Sequence, residues 1–165
     1  MRRVLLNGKP VDGPIAIDAA DRGLTLGDGL FETFLVVNRV ALWRNMHLAR
    51  LEGSATELGL AYDGEAVNTS IDTLLAHCGS GHRSLRLTLT RGATARGLAG
   101  QGNAPTLIAC LEDFDAKLMF QPATLLTSSI RRSQDSPAAR LKTLSYIDNI
   151  MAAREAASHG ADDAL

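Results

Sequence analysis

The sequence predicts an α+β protein, because its strand-like and helix-like segments come in separate runs rather than in regular βαβ alternation. Short apolar runs and turn signals mark strands in the first forty residues. Two segments of helical periodicity follow, at about 45–59 and 65–78, and strands resume at about 85–89 and 106–111. A chain of 165 residues is long enough for one domain, or for one domain and part of a second.

The N-terminal strands are predicted from short apolar runs beside turn residues. Residues 4–6 precede an Asn-Gly turn, and residues 15–17 follow a Gly-Pro pair. Residues 30–37 and 40–43 have the pattern of a β-hairpin. The segment before this hairpin, residues 21–29, has three glycines within its last seven positions. Such a segment suits backbone that turns sharply or comes close to another group.

The first helix is predicted to start at Asn45, a good N-cap residue, and to stop at Gly59. Its apolar residues recur at helical spacing, and a second, polar stripe lies one residue away. The polar stripe consists of His47, Arg50, Ser54 and Glu57.

The pattern breaks after residue 112, which predicts a domain boundary. We assign 1–115 to an N-terminal α+β domain, 116–122 to a linker, and 123–165 to the first part of a second domain. About 43 residues would form little core of their own. The sequence is therefore expected to be incomplete for a two-domain protein.

The second unit is predicted to begin with a strand at 123–130, followed by a polar loop at 131–137. A helix over 147–158 has apolar residues on one face, and residues 164–165 have the character of a strand that is starting.

Composition excludes several classes of partner. The net charge is -1, so there is no electrostatic reason to expect nucleic acid or an anionic membrane surface. No apolar run approaches the roughly 18 to 20 residues that span a bilayer. Cys78 and Cys110 have no metal-ligand or redox spacing, and His47 has no second ligand near it, so no metal is expected. The cysteines are interpreted as buried thiols in a reducing cytoplasm.

Three positions could carry chemistry, and each has a plain structural alternative. Lys142 lies between a polar loop and a helix, where it is either an amine for Schiff-base formation or an ordinary surface lysine. Arg50 could grip a phosphate, or be an exposed helix residue paired with Glu57 or Asp63. The loop at 91–97 could bind a substrate carboxylate through its two arginines, or be a solvated basic turn.

Four groups of residues, in order along nearly the whole chain, resemble the class-IV pyridoxal phosphate (PLP) enzymes. That family includes branched-chain aminotransferases, D-amino-acid aminotransferases and 4-amino-4-deoxychorismate lyases. The groups are Asp21-Arg22-Gly23 with Gly27-Asp28-Gly29-Leu30-Phe31-Glu32; His47-Leu48-Ala49-Arg50-Leu51 with Ser54; Arg91-Gly92 with Arg96; and Lys142 with Asn149, Glu155-Ala156 and Gly160-Ala161-Asp162.

The resemblance implies a role for each of five residues. Lys142 would form the Schiff base with PLP and move protons at the substrate α-carbon, and Arg50 would contact the cofactor phosphate. Phe31 would line the substrate pocket, and Tyr146 would approach the cofactor. Arg96 corresponds to an arginine that traps the substrate carboxylate in D-amino-acid enzymes. Those enzymes have a histidine two residues later where this chain has leucine, which argues against a D-amino-acid substrate.

The resemblance also implies the two-domain D-amino-acid aminotransferase-like fold (fold type IV), with only the start of the second domain present, and a homodimer. The family glutamate that pairs with the pyridine nitrogen would lie beyond residue 165. The expected reaction is amino-group transfer between an amino acid and a 2-oxo acid. One alternative is release of pyruvate from aminodeoxychorismate to give 4-aminobenzoate. Another is a truncated, non-catalytic remnant.

Overall fold

A computed structural model describes residues 2–102 and 104–165, and its main feature is a six-stranded antiparallel sheet. The order across this sheet is β2-β1-β6-β5-β3-β4. The strands are β1 (Arg3–Leu6), β2 (Lys9–Val11), β3 (Gly29–Val37), β4 (Val40–Ala41), β5 (His82–Thr90) and β6 (Thr106–Asp113). The mixed α+β architecture predicted from the sequence is confirmed.

One face of the sheet is covered by two helices and forms the apolar core. Alternate residues of β3, β5 and β6 point to this face, because successive side chains of a strand lie on opposite sides. Their buried members include Leu30, Phe34, Leu85, Leu87, Ala109 and Leu111. The helices are α2 (Arg44–Leu58) and α3 (Gly64–Ala76), which contribute Leu51, Ala55, Ile71 and Leu74.

The predicted helices are present, but the start of α2 differs from expectation. Helix α2 begins at Arg44, after Trp43 in a left-handed conformation with φ 51°, and no side chain caps it. The prediction of Asn45 as N-cap was therefore wrong, because the chain turns into the helix one residue earlier. Gly59 ends the helix as predicted. Ser54, placed on the polar stripe, is buried against the core side instead.

Two other strand predictions were wrong in whole or in part, and one short helix was not predicted. Residues 15–17 form no strand. The glycine-containing segment between the first strands and β3 forms a short helix, α1 (Arg22–Leu26), whose first turn is capped by the Asp21 side chain through Gly23 N–H. The second strand of the predicted hairpin is only Val40–Ala41.

The C-terminal part contains a parallel strand pair with a helix between its strands. Strands β7 (Leu125–Leu126) and β8 (Asp163–Ala164) flank α4 (Pro137–Arg140) and α5 (Ile147–Ser158). A 3-10 helix, Ala116–Leu118, lies within the predicted linker. The predicted strand at 123–130 was too long, whereas the strand expected near the last residues is present as β8.

Both cysteines are free, but only Cys78 is fully buried; Cys110 is half-buried on the sheet face that the helices leave open. Among the described residues, no helix combines the length and apolar character needed to cross a bilayer.

Candidate functional site

Lys142 is held against the first residues of β3 by backbone hydrogen bonds. Phe31 N–H donates to the Lys142 carbonyl at 3.0 Å, and Leu144 N–H donates to the Gly29 carbonyl at 2.9 Å. Strand β4 pairs only with the far end of β3, so segment 142–144 occupies the edge that β4 leaves open. This pairing places the Lys142 side chain directly beside Phe31.

Glycines allow the Lys142 segment to come this close. A Cβ on Gly29 would lie 2.6 Å from the Leu89 carbonyl oxygen and 2.7 Å from Leu144 Cδ1. A Cβ on Gly27 would lie 2.8 Å from Ser145 Oγ. The predicted close approach of the glycine-containing segment to another group is therefore confirmed, and that group is the segment that carries Lys142.

The Lys142 amine lies between two aromatic rings. Its Nζ is 4.1 Å from the centroid of the Phe31 ring and 5.7 Å from that of Tyr146. The two rings meet edge to face with centroids 5.0 Å apart. Within residues 2–102 and 104–165, no carboxylate forms an ion pair with this amine. Lys142 itself is half-buried.

Arg86 is a member of this site that the sequence analysis missed. It lies on β5, on the open face of the sheet and diagonally across from Phe31, with its Cζ 3.8 Å from the Phe31 ring centroid. Burial lowers the pKa of Arg86, while Tyr146 and Cys110 act in the opposite direction. The sequence gives one signal for this role, an arginine at a polar position of a strand in which polar and apolar residues alternate. Exposure to solvent explains an arginine at such a position equally well.

Arg50 is anchored by Glu32 rather than by Glu57 or Asp63. Its Nε and Nη2 donate to the two oxygens of Glu32, each at 2.6 Å, and His47 Nδ1 lies 2.8 Å from the same carboxylate. Glu32 is 1% exposed, whereas the Arg50 side chain is 54% exposed. A buried carboxylate therefore fixes one edge of a guanidinium whose remainder faces solvent.

The pKa values reflect this arrangement. Burial alone would raise the pKa of Glu32, but hydrogen bonds from Arg50 and His47, together with their charges, hold it below its ordinary value of 4.5. The pKa of Arg50 is raised, first by its hydrogen bonds to Glu32, with a smaller contribution from Tyr146. Tyr146 therefore lies within electrostatic range of both Arg50 and Arg86.

We call Lys142, Phe31, Tyr146, Arg50 and Arg86 the Lys142 cluster. Three of its members carry positive charge, and two present aromatic faces. Cationic groups around an aromatic-lined position suit an anionic, planar ligand.

Arg96 does not belong to this cluster. It is exposed and lines a separate surface pocket with Arg22, Leu26 and Leu98. Arg91, the other arginine of the predicted carboxylate-binding loop, is occupied by Asp28 and by the carbonyls of Leu58 and Gly59. Only Arg96 of the two is therefore available to a ligand.

The chain is similar to known proteins over most of its length. It is 25% identical over 158 residues to aminodeoxychorismate lyase from Bacillus subtilis, covering 92% of this chain and 54% of that protein. It is 31% identical over 97 residues to D-alanine aminotransferase from Bacillus licheniformis, covering 57% of this chain and 34% of that protein.

The fold matches the PLP-bound form of a hypothetical aminotransferase from Mycobacterium tuberculosis, with a TM-score of 0.77 and 26% identity, over 100% of this chain and 62% of that one. This similarity confirms the predicted fold type. The chain thus spans little more than half the length of the curated lyase and less than two thirds of that structure. The family profile of class-IV aminotransferases matches residues 29–165, which include the whole Lys142 cluster. The chain belongs to the class-IV aminotransferase family.

Proposed function

We propose that this chain is part of a PLP enzyme that transfers an amino group between an amino acid and a 2-oxo acid, and that Lys142 is the residue that bonds the cofactor. The observation that carries this proposal is the Lys142 amine, held by the β3 edge between Phe31 and Tyr146. A family relative with the same fold is known in a PLP-bound form.

The residues of the Lys142 cluster fit PLP. Among the described residues the amine has no carboxylate partner, so it is not committed to a salt bridge. Arg50 is fixed along one edge by Glu32, and its exposed remainder can donate to a phosphate oxygen. The charges therefore match a cofactor that carries a phosphate at one end and reacts with an amine at the other.

Bound PLP would supply an electron sink for charge that develops at the substrate α-carbon. The protein's share is to position groups and move protons. Lys142 would stay tethered next to the reacting carbon, where proximity would make its amine an effective base. Phe31 and Tyr146 flank that amine and would limit its contact with water once PLP is bound.

Substrate carboxylates would be bound by arginine. Arg86 stacks on Phe31 and is a positively charged residue of β5 on the open face of the sheet. We therefore propose it as a substrate-binding residue beside Phe31. Arg96, predicted from the resemblance, is proposed for the same kind of ligand from its separate loop. Cytoplasmic location and a homodimeric state stay predictions.

The second candidate function is aminodeoxychorismate lyase activity. The Bacillus subtilis lyase is similar to this chain across 92% of its residues, including the Lys142 region. The same lysine and the same cations would serve both reactions, so the two are separated by assay rather than by the cluster itself.

The experiment uses the purified full-length protein with added PLP. We expect an absorbance band from lysine-bound PLP that is lost in Lys142→Ala and kept in Lys117→Ala. Within the 165 residues there are only three lysines, Lys9, Lys117 and Lys142, so borohydride reduction and peptide mass analysis locate the bond directly.

Transamination of 2-oxoglutarate and formation of 4-aminobenzoate are then measured side by side to separate the two reactions. A protein with neither the band nor either activity would instead be the non-catalytic remnant. PLP bonded at Lys9 or Lys117 would also contradict the proposal.

A further inference from the structure

A charge network beneath the loop that follows β5, residues 91–98, joins three parts of the chain; we call this segment the Arg96 loop. The Asp28 carboxylate accepts from Arg22 Nε and from Arg91 Nε, each at 2.8 Å. Burial alone would raise the pKa of Asp28, but the two guanidinium groups more than offset this and lower it. One carboxylate thus holds two arginines in fixed orientations.

Each arginine uses its remaining N–H groups on backbone carbonyls. Arg22 donates to the carbonyls of Gly97 at 2.7 Å and Leu98 at 2.8 Å. Arg91 donates instead to Leu58 and Gly59, at the end of α2. The two arginines therefore share a partner but restrain different segments.

Arg22 contacts the Arg96 loop at two points, one through its backbone and one through its side chain. Its backbone N–H donates to the Gly92 carbonyl at 3.0 Å, where the loop begins. Its side chain, only 9% exposed, grips the two residues that follow Arg96. Arg22 and Arg96 also line the same pocket. The direction in which Arg96 leaves the backbone thus depends on the Arg22 guanidinium.

We propose that Arg22 is a positioning residue that sets the Arg96 loop for binding the substrate carboxylate, and so determines substrate affinity without touching the substrate. This inference rests on the proposed role of Arg96. A lysine at position 22 keeps the charge beside Asp28, but an ammonium lacks the planar fork that reaches one carboxylate and two carbonyls together.

The test measures KM and kcat in the full-length, PLP-loaded protein, with 2-oxoglutarate or aminodeoxychorismate according to the reaction found. We expect Arg22→Lys to raise KM about tenfold, with kcat changed less than about twofold and the PLP absorbance band unchanged. Arg96→Ala should raise KM by a similar factor. The double variant Arg22→Lys/Arg96→Ala should resemble Arg96→Ala alone, because Arg22 acts through Arg96.

Two matched controls separate positioning from general destabilisation. Arg91→Lys disrupts the contacts that join Asp28 to the end of α2, and should lower the free energy of unfolding without raising KM. Arg39→Lys removes another arginine–carbonyl contact, to Cys78 at 2.7 Å, and should leave both KM and kcat unchanged. The rate of trypsin cleavage after Arg96 reports on the loop without an activity measurement. Cleavage should be faster in Arg22→Lys than in wild type, and unchanged in Arg91→Lys and Arg39→Lys.

Independent, multiplying effects of Arg22→Lys and Arg96→Ala would overturn the proposal, as would an unchanged KM in Arg22→Lys while Arg96→Ala raises it. An unchanged KM in Arg96→Ala would instead overturn the proposed role of Arg96, and this inference with it. In that case faster cleavage of Arg22→Lys would still show that Arg22 holds the loop for structural reasons alone.

Discussion

Glu32 places a carboxylate on the face of β3 that otherwise supplies Leu30 and Phe34 to the apolar core. An unpaired charge in such a position costs several kcal/mol, which is why buried carboxylates are found with partners. Here Arg50 and His47 supply three short contacts, and the strand positions the carboxylate so that both can reach it from α2. The same contacts hold Arg50 at the Lys142 cluster, so core stability and ligand binding depend on one residue.

Glu32→Gln is expected to destabilise the protein and weaken PLP binding together. The amide keeps the shape of the side chain but loses the charge-assisted hydrogen bonds. A hydrogen bond to a charged group contributes roughly 1.5 to 3 kcal/mol to the free energy of unfolding. Because Arg50 stays largely solvated, we expect about the lower of these figures. Urea unfolding measures the loss, and absorbance titration measures the PLP dissociation constant. Glu52→Gln, at an exposed position on α2, should change neither.

The destabilisation should depend on pH in a defined direction. The pKa of Glu32 is lower in the folded protein than its ordinary value of 4.5, so its contribution is complete above that pH and is lost as the pH falls through the folded value. The stability difference between wild type and Glu32→Gln should therefore shrink as the pH falls from above 4.5 through the folded-state pKa of Glu32. A difference that stays constant across this range would contradict the ion-pair explanation.

Among the elements, the edge of β3 is the one on which the site depends. Segment 142–144 packs on that edge beside Gly29, where an added Cβ would lie 2.7 Å from Leu144 Cδ1 and 2.6 Å from the Leu89 carbonyl oxygen of β5. The obstacle for a larger residue at position 29 is partly a backbone carbonyl, that of Leu89, which cannot rotate away as a side chain can.

Gly29→Ala is therefore expected to lower stability by about 1 to 3 kcal/mol, the usual cost of overpacking, and to weaken PLP binding by displacing Lys142. Gly53→Ala is the matched control. Gly53 lies inside α2 with no atom within 4 Å of its added Cβ, so alanine should stabilise the helix by roughly 0.5 to 1 kcal/mol. Equal effects of the two substitutions in urea unfolding and PLP titration would refute the close-approach explanation.

Elements with strong periodicity were predictable from the sequence, and contacts between distant segments were not. Helix α2 and strands β3, β5 and β6 lie where alternation and helical spacing put them. The short helix α1 was missed because its Asp21 cap is anchored by Thr90 and Thr106, far along the chain. Glu32 and Arg86 were missed as site residues because their roles come from Arg50 and Phe31, which only strand pairing brings near.

In the molecule as a whole, the two proposed ends of the ligand site line different parts of the described surface. Lys142 and Phe31 lie at the β3 edge, whereas Arg96 is exposed in another pocket that contains no member of the Lys142 cluster. An arginine that must reach the same substrate can do so from a second copy of the chain. We therefore propose that the active form is a homodimer in which Arg96 serves the Lys142 cluster of the other subunit.

This arrangement predicts complementation between Lys142→Ala and Arg96→Ala when activity is measured at substrate concentrations well below the wild-type KM. A dimer formed from one Lys142→Ala subunit and one Arg96→Ala subunit would contain one site with both residues intact. Random pairing of equal amounts makes about half of the dimers mixed, so about a quarter of wild-type activity should return in the unseparated mixture and about half in the isolated mixed dimer. Co-expression of differently tagged subunits, followed by isolation of the mixed dimer, measures it. If Arg96 served the Lys142 of its own chain, neither site of the mixed dimer would be complete, and its activity would stay at the average of the two parent variants.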